Sequence, residues 1–368
     1  MLRRSLWAVV NGGAALLVAC FLLGYTAPFL PPTLFWWANL LAVGLGPLAV
    51  GAGGVALVLA GRAWHRRQWL PGGAALVLMA LLLARFGPSL GAWSASPADD
   101  GLRIMSFNVP GTYTPDGAAP ALASLLDREA PAVLALQESR VHTHTADRSV
   151  SVSPSLRDVI QDPTGYTLPL SLPWRTVIQQ PVLGRIPLDS LQVHPLPPDG
   201  DSSARSRFTR THFQWQNRPV VLFNLHLHTV GSRPWAEPGA WTDPARWWAF
   251  LQTYRTGALH RAEQARRVRR AIEQAQHPVL VTGDFNSTRH QWAYRHIAQG
   301  LQDAVTQRGR GWSATFPARR PLVRIDHVLA GPAWRVGSAG VRALDGYEAV
   351  SDHRPVVATL HWSASSPE

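Results

Sequence analysis

The sequence predicts a mixed α/β domain carried on three membrane-crossing helices, and three observations lead to that prediction. Residues 1–98 contain no Asp or Glu and hold three long apolar stretches. The composition then changes: all 23 acidic residues and 29 of the 35 basic ones follow, a net +6 out of +12 for the chain. In that second part, short apolar, β-branched runs recur, and each stops at a polar residue.

The apolar stretches come first in the chain. About 20 apolar residues suffice to cross a bilayer. The runs 5–27, 34–60 and 69–93 meet that length, so residues 1–93 are read as an anchor, 94–101 as a short linker, 102–362 as the second domain and 363–368 as a tail. Gly44, Gly46, Gly51, Gly53 and Gly54 in the second run would let helices approach closely. Arg3 and Arg4 precede the first run, and Arg62, Arg66 and Arg67 separate the second from the third. By the positive-inside rule both of those ends are cytoplasmic, and three crossings put the second domain on the extracytoplasmic side. Trp36, Trp37, Trp69 and Trp93 suit interfacial positions, and Arg85 can snorkel from the end of the third run. The expected location is a bacterial inner membrane. Cys20, the single cysteine, excludes an internal disulfide; Leu17-Val18-Ala19-Cys20 has the form of a lipoprotein processing box, although the apolar run continues beyond it.

In the second part the runs 102–107, 133–136, 220–225 and 279–282 lead to Asn108, Gln137-Glu138, His226 and Gly283-Asp284-Phe285-Asn286, and Ser351-Asp352-His353 stands near the end. Strands that stop at a common rim bring distant residues into one cleft. Carboxylates that can hold a hard cation, amides and imidazoles that can hold phosphoryl oxygens, and a base for water are all present, which is the equipment of a divalent-metal phosphodiesterase.

The ordered set LRIMSFN, VLALQES, FNLHLH, VTGDFNS, RIDHVLA and SDHRPVVATL resembles the endonuclease/exonuclease/phosphatase superfamily over about 102–361. The resemblance implies a four-layer αββα sandwich, two packed mixed sheets flanked by helices, after the three transmembrane helices. It implies a Mg²⁺ site, with Mn²⁺ as a substitute, made by Glu138, Asn108 and Asp352. It gives Asp284 the task of orienting or deprotonating water and Asn286 that of holding a phosphoryl oxygen. His353 would act as base or charged stabiliser, fixed by Asp326, and His226 would bind a phosphoryl oxygen or protonate the leaving group, with His228 as the alternative. His327 should point away from its neighbour Asp326 and be structural. No counterpart is evident for the mid-domain Tyr of some members; Arg175 and Arg207 lie in that region.

Other features read more simply. His142 and His144 lack a third metal ligand at suitable spacing and read as loop histidines. Arg261, Gln264 and the basic stretch to Arg270 read as the solvated face of a helix. Residues 231–256, rich in Pro and carrying Trp235, Trp241, Trp247 and Trp248, read as an insertion that dips into the lipid interface or forms a wall against which a headgroup or base stacks, or equally as a long loop packing its own small core. A basic domain suits a phosphate-ester substrate, whether nucleic acid or lipid headgroup, and the anchor implies a bilayer; no protein partner is implied. A non-catalytic tethered binding module would show gaps in the polar set, and none is seen.

Overall fold

The computed structural model describes residues 2–87, 100–111, 118–144, 149–154, 156–157, 165–196, 207–229, 242–309, 313–344 and 350–363. Helices α1 (Leu2–Thr26), α2 (Pro32–Val43), α3 (Leu45–Arg66) and α4 (Trp69–Phe86) make the N-terminal part. Three stretches, Trp7–Phe29, Leu45–Arg66 and Trp69–Phe86, are long and apolar enough to cross a membrane. Leu17 lies against Gly51 and Leu45 against Gly24, so α1 and α3 pack antiparallel where no Cβ intervenes.

The stretch 34–60, expected as one span, is instead two helices meeting at Gly44. Pro47 gives the reason. In the first turn of α3 its missing N–H costs nothing, whereas a helix continuing through it would lose a backbone bond and clash with the preceding turn. The third of the expected spans is helical to Phe86; Trp93 and residues 94–99 of the expected linker lie outside the described residues.

From Leu102 the chain forms β1 (Leu102–Asn108), α5 (Ala118–Glu129), β2 (Val133–Gln137), β3 (Val141–Thr143), β4 (Val150–Val152), β5 (Thr176–Ile178), β6 (Val182–Gly184), β7 (Leu188–Pro195), β8 (Arg207–Trp215) and β9 (Arg218–His226). There follow α6 (Pro244–Glu273), β10 (Val279–Asp284), α7 (Trp292–Ile297), β11 (Gln302–Asp303), α8 (Ala304–Arg308), β12 (Asp326–Ala330), β13 (Trp334–Val341) and β14 (Val356–Trp362). One sheet has the order β13-β14-β1-β2-β6 and the second β11-β12-β10-β9-β8-β7, with a small sheet β4-β3-β5 beside them. Both large sheets are mixed, since β1 pairs parallel to β2 but antiparallel to β14, and β10 parallel to β9 but antiparallel to β12.

Burial on both faces explains the near-continuous apolar runs of the central strands. Leu122, Leu125 and Leu126 of α5 join the core of the first sheet. Ala265, Val268 and Ile272 of α6 cover Val221, Phe223, Leu225 and Val281 of the second. Between the sheets Gln137 Nε2 donates to Asn224 Oδ1 at 2.7 Å, a buried polar bridge beneath the strand ends. The result is the expected four-layer α/β sandwich.

The 231–256 segment is not one loop. Asp243 caps α6, its Oδ1 accepting from the Ala245 N–H at 2.9 Å, and Pro244 takes the first helical position. Trp247 therefore lies on a helix, half-buried beside Phe250, Tyr254 and Ala258, where Trp36 and Leu40 of α2 also pack, while Trp248 is exposed. Trp235 and Trp241 lie outside the described residues.

Gly283 has φ +132°, and a Cβ there would sit 2.1 Å from the Leu225 carbonyl oxygen. Only glycine permits β10 to run this close to β9 just before Asp284. Gly283→Ala is expected to destabilise the domain by about 3 kcal/mol or more. Thermal unfolding in detergent measures this, and an unchanged midpoint would refute the close pairing.

Candidate active site

Strand register builds the site. Arg207, His226, Asp284 and Asp326 form one row across β8, β9, β10 and β12, each paired with the next. Paired residues share a sheet face, so four side chains from distant segments lie side by side. Opposite them, Asn108 ends β1 beside Gln137 of β2. Asn108 Nδ2 joins the two sheets, donating to Asp284 Oδ2 at 3.2 Å and to Glu138 Oε1 at 3.3 Å.

His353 enters from the loop before β14. Its backbone N–H donates to Ser351 Oγ, whose hydroxyl donates to the Asn108 carbonyl, tying this loop to the end of β1. Its Nδ1 lies 2.9 Å from Asp326 Oδ2, and its Nε2 3.9 Å from Asp284 Oδ2. Burial opposes protonation of the ring, but the Asp326 and Asp284 carboxylates outweigh it and raise its pKa to about 10. The imidazole is thus a cation at neutral pH. Asp284 is pushed up to about 6, chiefly by burial, with His353 pulling the other way. Thr315 Oγ1 accepts from the Ile325 and Asp326 N–H groups, and the Phe316 ring lies 4.8 Å from the imidazole, so the 315–326 segment holds the pair in place.

His226 is buried, its Nε2 3.7 Å from both Glu138 Oε1 and Asp284 Oδ2. The alternative, His228, lies past the end of β9 and turns to His260, with ring centroids 4.9 Å apart. Burial, then His260 and Arg261, lower its pKa to about 4. His327 points away from the site, as expected, and its Nε2 meets the Ser287 carbonyl at 2.9 Å.

Glu138 and Asn286 both have left-handed backbone conformations, φ 61° and 44°, uncommon for residues with a Cβ. Asn286 closes the turn after β10: its N–H donates to Asp284 Oδ1 at 2.7 Å and its Nδ2 to the Leu227 carbonyl at 3.0 Å and Asp284 Oδ2 at 3.3 Å. Asp352 is exposed beside His353, 4.0 Å from Nε2. The eight expected site residues therefore converge from both sheets.

The donor set fits a hard divalent cation. The Asn108 Oδ1 is buried with no protein partner, next to the Glu138 carboxylate. Among the described residues, the cluster of potential ligands whose atoms lie within 4.8 Å of one another is Asp284, Asp326 and His353. The Asp326–His353 hydrogen bond already engages the facing atoms of that cluster, which leaves the partnerless Asn108 Oδ1 and the adjoining Glu138 carboxylate as oxygens that could hold a cation. His142 and His144 are no part of it; His144 Nε2 meets Ser151 Oγ on the small sheet.

Two residues that support the site read differently in the sequence. Arg261 and Gln264, expected on a solvated face, are 2% and 0% exposed. Arg261 donates to the His228 carbonyl at 2.9 Å, and Gln264 Oε1 accepts from the His228 N–H at 2.8 Å. Together they clamp the backbone just past His226. A basic helix shows its charges in sequence but not which of them turns inward, so the sequence carried no signal for the burial of Arg261 and Gln264. Arg207 sits next to His226 in the row and donates to the Val177 carbonyl at 3.0 Å.

Comparison with known proteins agrees with this architecture. The model of the Endonuclease/Exonuclease/phosphatase family matches residues 105–353. No curated protein matches the chain. Among solved structures, an endonuclease/exonuclease/phosphatase family protein of Bacteroides thetaiotaomicron is similar at 18% identity and TM-score 0.52, over 75% of this chain and 99% of that one. A mannosyl-6-phosphatase of the same organism is similar at 18% identity and TM-score 0.50, over 71% and 100%. D. rerio TDP2 complexed with single-strand DNA product is similar at 16% identity and TM-score 0.50, over 72% and 100%. The chain belongs to the endonuclease/exonuclease/phosphatase family of divalent-metal-dependent phosphoester hydrolases.

Proposed function

We propose that the protein is a membrane-anchored, Mg²⁺-dependent phosphodiesterase that hydrolyses its substrate by in-line attack of water, with nucleic acid as the substrate class. The observation that carries this is the convergence of Asp284, His226, Asp326 and His353 in front of Asn108 and Glu138. Glu138, Asn108 and Asp352 would hold the cation, which when bound neutralises charge on the phosphoryl group. Asp284 orients the water and accepts its proton. The His353 cation, fixed by Asp326, faces the developing negative charge. His226 holds a phosphoryl oxygen or protonates the leaving oxygen. Asn286 steadies Asp284 and reaches a phosphoryl oxygen by giving up one of its present acceptors.

The division into a 1–93 anchor and a 102–362 catalytic domain belongs to the same reading. Antiparallel packing of α1 and α3 places the N-terminal end of α1 beside Arg66, away from the catalytic domain, which supports a cytoplasmic N-terminus and an extracytoplasmic catalytic domain; a bacterial inner membrane is part of the same proposal. A net +6 on the second part favours a polyanionic substrate. The relatives include one solved with DNA and one named as a sugar phosphatase, so the fold does not choose between substrates. Packing of α2 directly on α6 favours a second reading, a lipid-headgroup phosphodiester.

The test is hydrolysis by the full-length protein in nanodiscs, with Mg²⁺ or EDTA, of plasmid DNA, bis-p-nitrophenyl phosphate, p-nitrophenyl phosphate and phospholipid vesicles. Metal-dependent DNA cleavage that weakens steeply with salt is expected. Preference for vesicles would move the assignment to lipid, and no turnover of any substrate with Mg²⁺ would overturn the proposal.

A further inference from the structure

Asn39 is an amide in the otherwise apolar middle of α2, and it is only 4% exposed. A buried amide is costly unless its polar atoms find partners. Its two oxygens find partners in the other part of the molecule, while its Nδ2 has none among the described residues. Asn39 Oδ1 accepts from the Trp292 N–H at 2.9 Å, and its backbone carbonyl accepts from Gln291 Nε2 at 3.1 Å.

Trp292 is the first residue of α7, and Gln291 at the N-cap makes no side-chain cap bond. The Trp292 N–H, one of the orphan donors of the first helical turn, is thus satisfied by a residue 253 positions earlier in the chain. Gln291 is itself buried. Its Nε2 also donates to Tyr254 Oη at 2.9 Å, and its Oε1 accepts from the Thr288 N–H at 2.7 Å. Thr288 is two residues past Asn286, which holds Asp284. The rest of the segment is docked in the same direction: Arg289 donates to the Arg85 carbonyl of α4, the His290 ring lies 5.3 Å from Phe86, and the Arg295 guanidinium lies 4.0 Å from the Phe29 ring.

We infer that Asn39 is a positioning residue for the reaction: through Gln291 and the start of α7 it fixes the Asp284–Thr288 turn, making the membrane-proximal helix α2 part of the catalytic centre. The inference rests on the reading of Asp284 and Asn286 as catalytic. The turn it supports carries a left-handed residue, Asn286, and a left-handed turn keeps its shape only while its surroundings hold it. Small displacements of an orienting carboxylate slow the chemical step more than they weaken substrate binding.

The test uses the full-length protein in nanodiscs, comparing wild type, Asn39→Leu and Trp37→Leu. Leu has the same branched heavy-atom skeleton as Asn without its polar atoms and suits an apolar helix, and Trp37 is an exposed neighbour on the same helix. Steady-state hydrolysis of bis-p-nitrophenyl phosphate with Mg²⁺ is measured alongside hydrogen exchange of peptides covering 285–297. Asn39→Leu is expected to lower kcat by about tenfold with KM within about twofold, and to speed exchange in that segment. Trp37→Leu should behave as wild type. Wild-type kcat in Asn39→Leu would overturn the inference, whether or not exchange rises, because the contact would then be structural only. Absence of turnover in the wild type is a different failure: it would sink the phosphoesterase reading itself.

Discussion

His353→Ala is expected to lower kcat for a phosphodiester by roughly a thousandfold or more, because it removes the cation that faces the scissile group. It also leaves Asp326 buried without its partner at 2.9 Å, so the variant should lose stability by about 3 kcal/mol. Measurement of kcat beside the thermal midpoint separates the two effects, and a kcat within tenfold of wild type would remove His353 from the chemistry. The pH profile gives a further check. His353 has a folded pKa of about 10, above its ordinary value of 6.5, so the stability it contributes is complete below 6.5 and is lost as pH rises through about 10. The rate should fall over the same upper range. Asp284, raised to about 6, must be ionised to accept a proton, so the rate should climb through that value, at lower pH when the cation is bound. The bell should lose its alkaline limb in His353→Ala.

Glu138→Gly is expected to move stability and activity in opposite directions. The native residue holds φ 61°, which costs a side chain about 1 kcal/mol and costs glycine nothing, so the thermal midpoint should rise. The same change removes the carboxylate beside Asn108 that would hold the cation, and activity at millimolar Mg²⁺ should drop by roughly a hundredfold or more, with partial recovery as the metal is raised. Full activity in a stabilised variant would show that the left-handed residue has no part in the reaction. Such a pairing of strain with chemistry is the signature of a site that trades stability for a placed functional group.

Much of this was legible in the sequence because the signals are local. Three apolar stretches without acids, β-branched runs ending at Asn108, Glu138, His226 and Asp284, and the Ser351-Asp352-His353 triplet each declare an element or a strand end. The break at Gly44 was also written there, in Pro47, but the hydropathy of the whole stretch masked it. The choice of His226 over His228 followed from where the apolar run stops.

What the sequence by itself determined is which residues stand at strand ends, which segments are apolar enough for a bilayer and which side chains can do phosphoryl chemistry. The tertiary structure alone decided the row Arg207-His226-Asp284-Asp326, the inward turn of Arg261 and Gln264, and the docking of Asn39 on the start of α7. The physical reason is the range of the forces. Periodicity and turn chemistry act over a few residues, whereas strand register and burial of a polar group are fixed by partners that lie from 19 (Arg207–His226) to 253 (Asn39–Trp292) positions apart in the chain, whose choice emerges only when the whole core packs.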